Sequence, residues 1–220
     1  GRATALLNQA RKKKTMVGID LLLAEKAVGA GMNGRRSVKI EWDKVGGFNA
    51  WRFGLALATG VEPPVKLYQQ GGRHVDAWRA QLPMLAARNK ILSAENGAAL
   101  GVVSNAALVD LYGQAFEDED TPEAMKARAE QLQLAYVAGS DSERLTAIRS
   151  IWDSGSSEFE KQAALVLTAR AAALVSPSSA SGADADRLIA SMMSAGLDNQ
   201  AAEWGNVVAS GSPGWAQLVT

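Results

Sequence analysis

The sequence contains no cysteine and only one histidine. The first absence removes disulfides, thiolate nucleophiles and sulfur-ligated metals. It leaves the compartment open, since cytosolic and periplasmic proteins alike can lack cysteine. The second leaves any His-based triad or His-rich metal site with a single residue. An excess of charge of one sign is also missing. Lys and Arg number 23 and so do Asp and Glu, for a formal net charge of zero. A neutral chain lacks the broad field that gathers nucleic acid or an anionic membrane surface, although local patches remain compatible with it. No apolar run approaches the roughly 18 residues of a membrane-spanning helix. The longest, at 171–175 with its neighbours, is interrupted by Thr168 and Arg170. No convincing β-hairpin signal is present.

What is there is ordinary for a folded domain: 220 residues, 47% hydrophobic and 21% charged. That length corresponds to one large domain or two small ones and is enough to bury a sizeable core. The chain begins at Gly1, and an amphipathic pattern is cut off at Thr220. The expectation is therefore a processed or excised piece of a longer protein.

Residues 121–220 carry the clearer helical grammar. Thr121-Pro122 reads as an N-cap followed by proline in the first turn. Met125, Ala129, Leu132 and Tyr136 then mark one helix face, with Gly139 as the stop. Ser140 with Glu143, and Ser157 with Glu160, each have capping-box spacing. Leu145, Ile148, Ile151 and Trp152 form the stripe of the first of these helices, which stops at Gly155. The second runs to about Val175, before Ser176-Pro177. Its Leu165, Val166 and Leu167 point in directions about 100° apart, so no single face can bury them. Such a helix must be covered on more than one side. Asp184 is placed as the cap of a helix with Leu188, Ile189, Met192 and Met193. Asp198 is placed as the cap of one with Ala201, Trp204 and Val208. Ser212-Pro213 opens a last one with Trp215, Leu218 and Val219.

Residues 1–120 are helical but less regular. Residues 6–30 read as one or two helices around Arg11, Lys12, Lys13 and Lys14. Residues 38–45 read as a short helix, with a strand as the alternative because "VKIEW" alternates. Further helices are expected at 48–59, 65–70, 75–82, 83–92 and 105–116.

Helix starts at Thr121, Ser157 and Asp198 recur about 36 and 41 residues apart, within the spacing of two-helix repeats. A faint echo links "EWDKVGGFNAWRFGLALATGVEPP" with "IWDSGSSEFEKQAALVLTARAAALVSP". In these features the chain resembles TPR-like α-solenoid proteins in general. The tetratricopeptide motif itself is not matched, since "WRAQLPMLA" at Trp78 lacks its glycine and tyrosine. No site residue is carried over from the resemblance. The expected fold is all-α, with stacked antiparallel helix pairs or, as the alternative, a compact multi-helix bundle. The expected division is a helical region over 1–120 and helical-hairpin repeats over 121–220, continuing beyond.

Candidate chemistry is thin. His74, in "GGRHVDAW", has Ser37 and Asp76 as conceivable partners and reads as a surface residue. Glu117–Asp120 ("EDED") lacks the EF-hand pattern and reads as an acidic connector. Glu41 and Asp43 flank Trp42, and paired acids can break a glycosidic bond. On a helix, though, positions i and i+2 diverge. The glycine-rich spots at Gly29/Gly31/Gly34, Gly46-Gly47 and Gly71-Gly72 form no phosphate-binding motif. Arg11–Lys14 and Arg35-Arg36 are the basic clusters. Most of the six tryptophans read as wedges between helices, Trp51 with Leu55 among them.

These patterns point to a non-enzymatic helical-repeat scaffold for protein–protein interaction or assembly. Arg128, Arg144 and Arg149 are its candidate partner contacts, and no cofactor or metal is expected. The alternatives are a cell-wall glycan hydrolase or lyase centred on Glu41, and a nucleic-acid or anionic-surface binder using Arg11–Lys14. The Ala-rich, Cys-free composition is compatible with a bacterial periplasm or cell envelope, which is set slightly ahead of the cytoplasm while the compartment stays open.

Overall fold

A computed structural model describes residues 1–31, 42 and 47–219. Among these residues every regular element is helical, and there is no strand. The stretch 38–45, with Glu41 and Asp43, lies outside the described residues except for Trp42, as do Gly34, Arg35, Arg36, Ser37 and Gly46. Packing divides the chain into two compact units, Gly1–Met84 and Leu85–Thr220.

The first unit holds α1 (Arg2–Lys13), α2 (Gly18–Ala30), α3 (Ala50–Thr59), α4 (Val65–Gln70) and α5 (Arg73–Ala77), with a 3-10 turn at Trp78–Gln81. Residues 6–30 form two helices. The break falls at Lys14, whose left-handed backbone (φ 53°, ψ 27°) turns its N–H back to the carbonyls of Ala10 and Arg11. The basic residues therefore end α1, where they complement the negative end of its dipole. Arg52 of α3 is forked onto Asp20 of α2, with Nε 2.8 Å and Nη2 3.2 Å from the two carboxylate oxygens. Phe48, Phe53, Tyr68 and Trp78 form an aromatic cluster. Its closest pair, Phe48 and Tyr68, has ring centroids 4.8 Å apart and nearly edge-on. Phe53 and Trp78 follow at 5.4 Å.

The second unit holds α6 (Ala87–Ala99), α7 (Asn105–Glu117), α8 (Glu123–Val137), α9 (Asp141–Asp153), α10 (Glu158–Ala172), α11 (Ala185–Met193), α12 (Asp198–Ala202) and α13 (Pro213–Val219). α6 runs past the expected end at Leu92 because Ile91, Ala94 and Ala98 continue one buried stripe. It closes at Gly101, which takes φ 74°. The Gly101 N–H reaches Ala98 and the Val102 N–H reaches Gly97, both at 2.9 Å, so the free carbonyls of the last turn are satisfied.

Of the helix pairs expected from the repeat spacing, α8 with α9 and α10 with α11 form, whereas α12 and α13 each pack on α11; α6 pairs with α7 as well. The all-round apolarity of α10 also has its predicted consequence. Val166, Leu167, Thr168, Ala169, Ala171 and Ala172 are all buried, and α6, α7, α8, α9 and α11 all pack against the helix. In a serial stack each pair touches only its neighbours. α10 reaches past α7, α8 and α9 to α6, so this unit is organised as a bundle around one central helix.

Two buried polar seams fix α10. Asn105, at the start of α7, donates to the Val166 and Leu167 carbonyls at 2.7 and 3.0 Å. The Trp152 indole N–H of α9 donates to Thr168 Oγ1 at 2.8 Å, and Thr168 donates onward to the Ala164 carbonyl at 2.8 Å. Ser191 of α11 donates to the Leu165 carbonyl at 2.6 Å beside them.

Several expected caps are realised differently. Ser157 and Glu160 form a complete capping box. At α9 only half of one forms. The Glu143 N–H donates to Ser140 Oγ, but the Glu143 carboxylate takes the Ser140 hydroxyl rather than its backbone. At α8 the cap is Pro122 (φ −57°, ψ 139°), not Thr121, which is buried. Asp184 occupies the N-cap position of α11 but makes no side-chain cap bond, because its carboxylate is held by Arg149 from 35 residues away. In α13 the buried residue is Gly214, while Trp215 and Val219 face outward. Trp51 is also exposed, so the core wedges are Trp152 and Trp204.

Candidate functional site

The three arginines named from the sequence are each engaged inside the chain. Arg128 Nε donates to the Tyr112 hydroxyl at 2.8 Å, and Nη2 meets the Glu95 carboxylate at 3.2 Å. Its Nη1 reaches Ser154 Oγ. Tyr112 in turn donates to Glu95 at 2.7 Å. The result is a half-buried knot joining α6, α7, α8 and the end of α9. Burial pushes the Tyr112 phenol far above its ordinary range. The Glu95 charge adds to that shift and Arg128 opposes it. Desolvation works against the Arg128 charge, yet Tyr112 and Glu95 outweigh it and hold the guanidinium above its usual value.

Arg144 closes the C-terminus of α8. Its Nε and Nη2 donate to the Ala135 and Ala138 carbonyls at 3.0 and 2.8 Å, and Nη1 meets Asp141 at 3.2 Å. Asp141 also accepts from the Ser176 N–H at 3.0 Å. Arg149 is paired with Asp184 through both Nε and Nη2. The structure does not bring these arginines together; each staples a different junction.

The other singled-out residues are dispersed too. His74 is exposed on α5. In the acidic run, Asp118 and Asp120 are gripped by Arg88 of α6. The Asp120 N–H and Arg88 together hold the Asp118 carboxyl below its usual range. No cluster of three or more metal-ligating side chains occurs among the described residues. Arg11 is paired with Glu25, which leaves Lys12, Lys13 and Lys14 exposed at the end of α1.

What the structure does assemble is a face along α8. A groove of about 500 Å³ between α8 and α9 is bordered by Gln131, Leu134, Val137, Ser142, Glu143 and Thr146. Leu134 is 49% exposed and Val137 68%. A second groove, of about 270 Å³, lies between α7 and α8, bordered by Val109, Phe116, Glu117, Leu132, Gln133 and Tyr136. The sequence held a signal for this face. Leu134 sits two residues after Leu132, hence about 200° around the helix from the buried stripe. An apolar residue there is not needed by the core.

A third groove, also about 500 Å³, lies where Trp152, Leu165, Arg187 and Gln217 meet. Its charged groups are already used. Arg187 stacks 4.4 Å from the Trp152 ring centroid and pairs with Asp153 at 2.9 Å. Lys161 pairs with Glu158 at 2.7 Å. Asp186 holds α13 by accepting from the Gly214 N–H at 2.8 Å and the Ser212 hydroxyl at 2.5 Å.

Compared with protein-family models, curated proteins and solved structures, the chain matches none.

Proposed function

We propose that the chain is a non-catalytic helical scaffold that docks a protein partner along α8. One observation carries the reading: Leu134 and Val137 lie off the buried stripe of α8, stay largely exposed and border an apolar groove. A groove between two helices suits an amphipathic helix, which presents apolar anchors one turn apart. The polar side chains nearby support the same reading, because Arg128 and Arg144 act as structural ties and leave the groove apolar.

The test is a displayed library of helical peptides about as long as α8, with apolar residues varied on one face. Enriched peptides are expected to shift the α8 and α9 amide resonances. They are expected to lose affinity for the L134D/V137D variant while its far-UV circular dichroism stays unchanged. Completing the burial of the two side chains contributes about 2–3 kcal/mol, or roughly 30- to 150-fold in affinity. Peptides that bind elsewhere, or that bind the variant equally well, would refute the proposal.

A further inference from the structure

We infer that the segment docking on α8 is basic: an apolar helix stripe flanked by Lys or Arg. The inference rests on the docking reading above and adds the sign of the partner's charge. In the α8–α9 groove the one ionisable lining residue is Glu143. In the α7–α8 groove it is Glu117, apart from the phenols of buried Tyr112 and half-buried Tyr136. Glu130 stands one turn before Leu134, on the ridge between the grooves. All three carboxylates are exposed, and none has a salt-bridge partner among the described residues.

The cations that would neutralise them are committed elsewhere. Arg128 is turned inward onto Glu95 and Tyr112. Arg144 is spent on the Ala135 and Ala138 carbonyls and Asp141. Lys126 Nζ reaches back to the Glu119 carbonyl at 3.0 Å. Several acids elsewhere in the unit are paired: Asp118 with Arg88, Asp153 with Arg187, Asp184 with Arg149. In a chain of zero net charge, a face whose groove linings carry carboxylates and no cation selects its complement by charge; Arg170, which acts on the Tyr136 phenol, stands outside those linings. Unlike charges there draw a basic helix in and fix its register, while an acidic helix meets repulsion.

The same displayed library decides the point when Lys, Glu and Gln are all allowed beside the apolar stripe. The enriched pool is expected to be net basic. Its affinity is expected to fall as salt rises from about 50 to 500 mM, since exposed pairs are screened. The E117K/E130K/E143K variant is expected to weaken it about tenfold, and each single reversal about two- to threefold. The single reversals serve if the triple variant is unfolded by circular dichroism. Enrichment of neutral or acidic peptides on α8, or binding indifferent to salt, overturns the inference and leaves the docking reading standing. No peptide on α8 removes both. Concentration-dependent self-association of the chain, lost in the charge-reversed variant, assigns the face to a second copy and also overturns it.

Discussion

Replacing Thr168 by Val tests the claim that polar seams, and not apolar area alone, hold α10 at the centre of its bundle. The two side chains are nearly the same shape, so the change removes a hydroxyl without opening a cavity. Thr168 is fully buried and Trp152 is 2% exposed, so the indole N–H that donates to Thr168 at 2.8 Å has no water to turn to. The lost bond is worth about 1 kcal/mol, and stranding a buried donor costs a further 1–3 kcal/mol or so. The expected destabilisation is about 2–3 kcal/mol. Thr168→Ser keeps the hydroxyl and loses one methyl, at about 1 kcal/mol. With Trp152→Phe already in place no donor is stranded, so Thr168→Val should then cost under about 1 kcal/mol, giving a coupling of about 1–2 kcal/mol. Urea unfolding of the whole chain measures the differences, and native-state amide exchange locates them in α10. A Thr168→Val cost below about 0.5 kcal/mol, or one equal in both backgrounds, would refute the reasoning.

Further expectations concern the helix junctions and pH. A Cβ on Gly214 would lie 2.6 Å from Asp186 Oδ1 and 2.8 Å from its Cα, so Gly214→Ala should lever α13 off α11 at about 1–3 kcal/mol; exchange should quicken in α13 and stay slow in α10. At Gly155 the added Cβ would sit 2.9 Å from the Lys161 backbone nitrogen. Gly155→Ala should therefore displace the first turn of α10, seen as faster exchange at 158–162. The Glu160 carboxyl is held below its usual range, chiefly by the Ser156 hydroxyl and then by the Ser156 and Ser157 N–H groups. Its contribution is present above the unfolded value of about 4 and is lost as pH falls through the folded value, so the advantage of wild type over Glu160→Gln should vanish in acid unfolding curves. Burial raises the Tyr112 phenol. Its contribution is present below the unfolded value of about 10 and lost as pH rises beyond it, so Tyr112→Phe should flatten the alkaline limb of a stability profile.

What could be read from the sequence was local or periodic. α10 announced its central place because its apolar residues point all ways round, and Ser157 with Glu160 formed the expected box because both partners lie within one turn. Asp184 stands at the expected cap position, but the use of its carboxylate was not legible, because Arg149 stands 35 residues away and offers a forked ion pair in place of one backbone N–H. Trp51 and Trp215 have the helical spacing of core residues, but helix spacing does not say which stripe faces a neighbour. α13 shows the reason: its closest approach to α11 is at Gly214, where no side chain fits, so Trp215 is turned away. The candidate face was half legible. Leu134 and Val137 stand off the buried stripe in the sequence itself, whereas the inward turn of Arg128 and Arg144 depends on Glu95 and on carbonyls freed where α8 ends.

That inward turn changes how charge mutations must be interpreted. From the sequence, Arg128 is a surface cation whose reversal should weaken partner binding and leave the fold alone. In the structure its side chain is 21% exposed and Glu95 is 16% exposed, with the Tyr112 hydroxyl between them. Arg128→Glu would set a second carboxylate against Glu95 in a site largely closed to water. Breaking a buried pair in this way costs about 3–5 kcal/mol, a large part of a typical domain's stability. Reversal of the exposed Glu117, Glu130 and Glu143 should instead stay within about 0.5 kcal/mol each. Urea midpoints for the two kinds of variant therefore separate framework charges from docking charges without any partner present. If Arg128→Glu unfolds at the wild-type midpoint, Arg128 is free to meet a partner, the α8 face is not left acidic, and the inferred sign of the docking helix loses its basis.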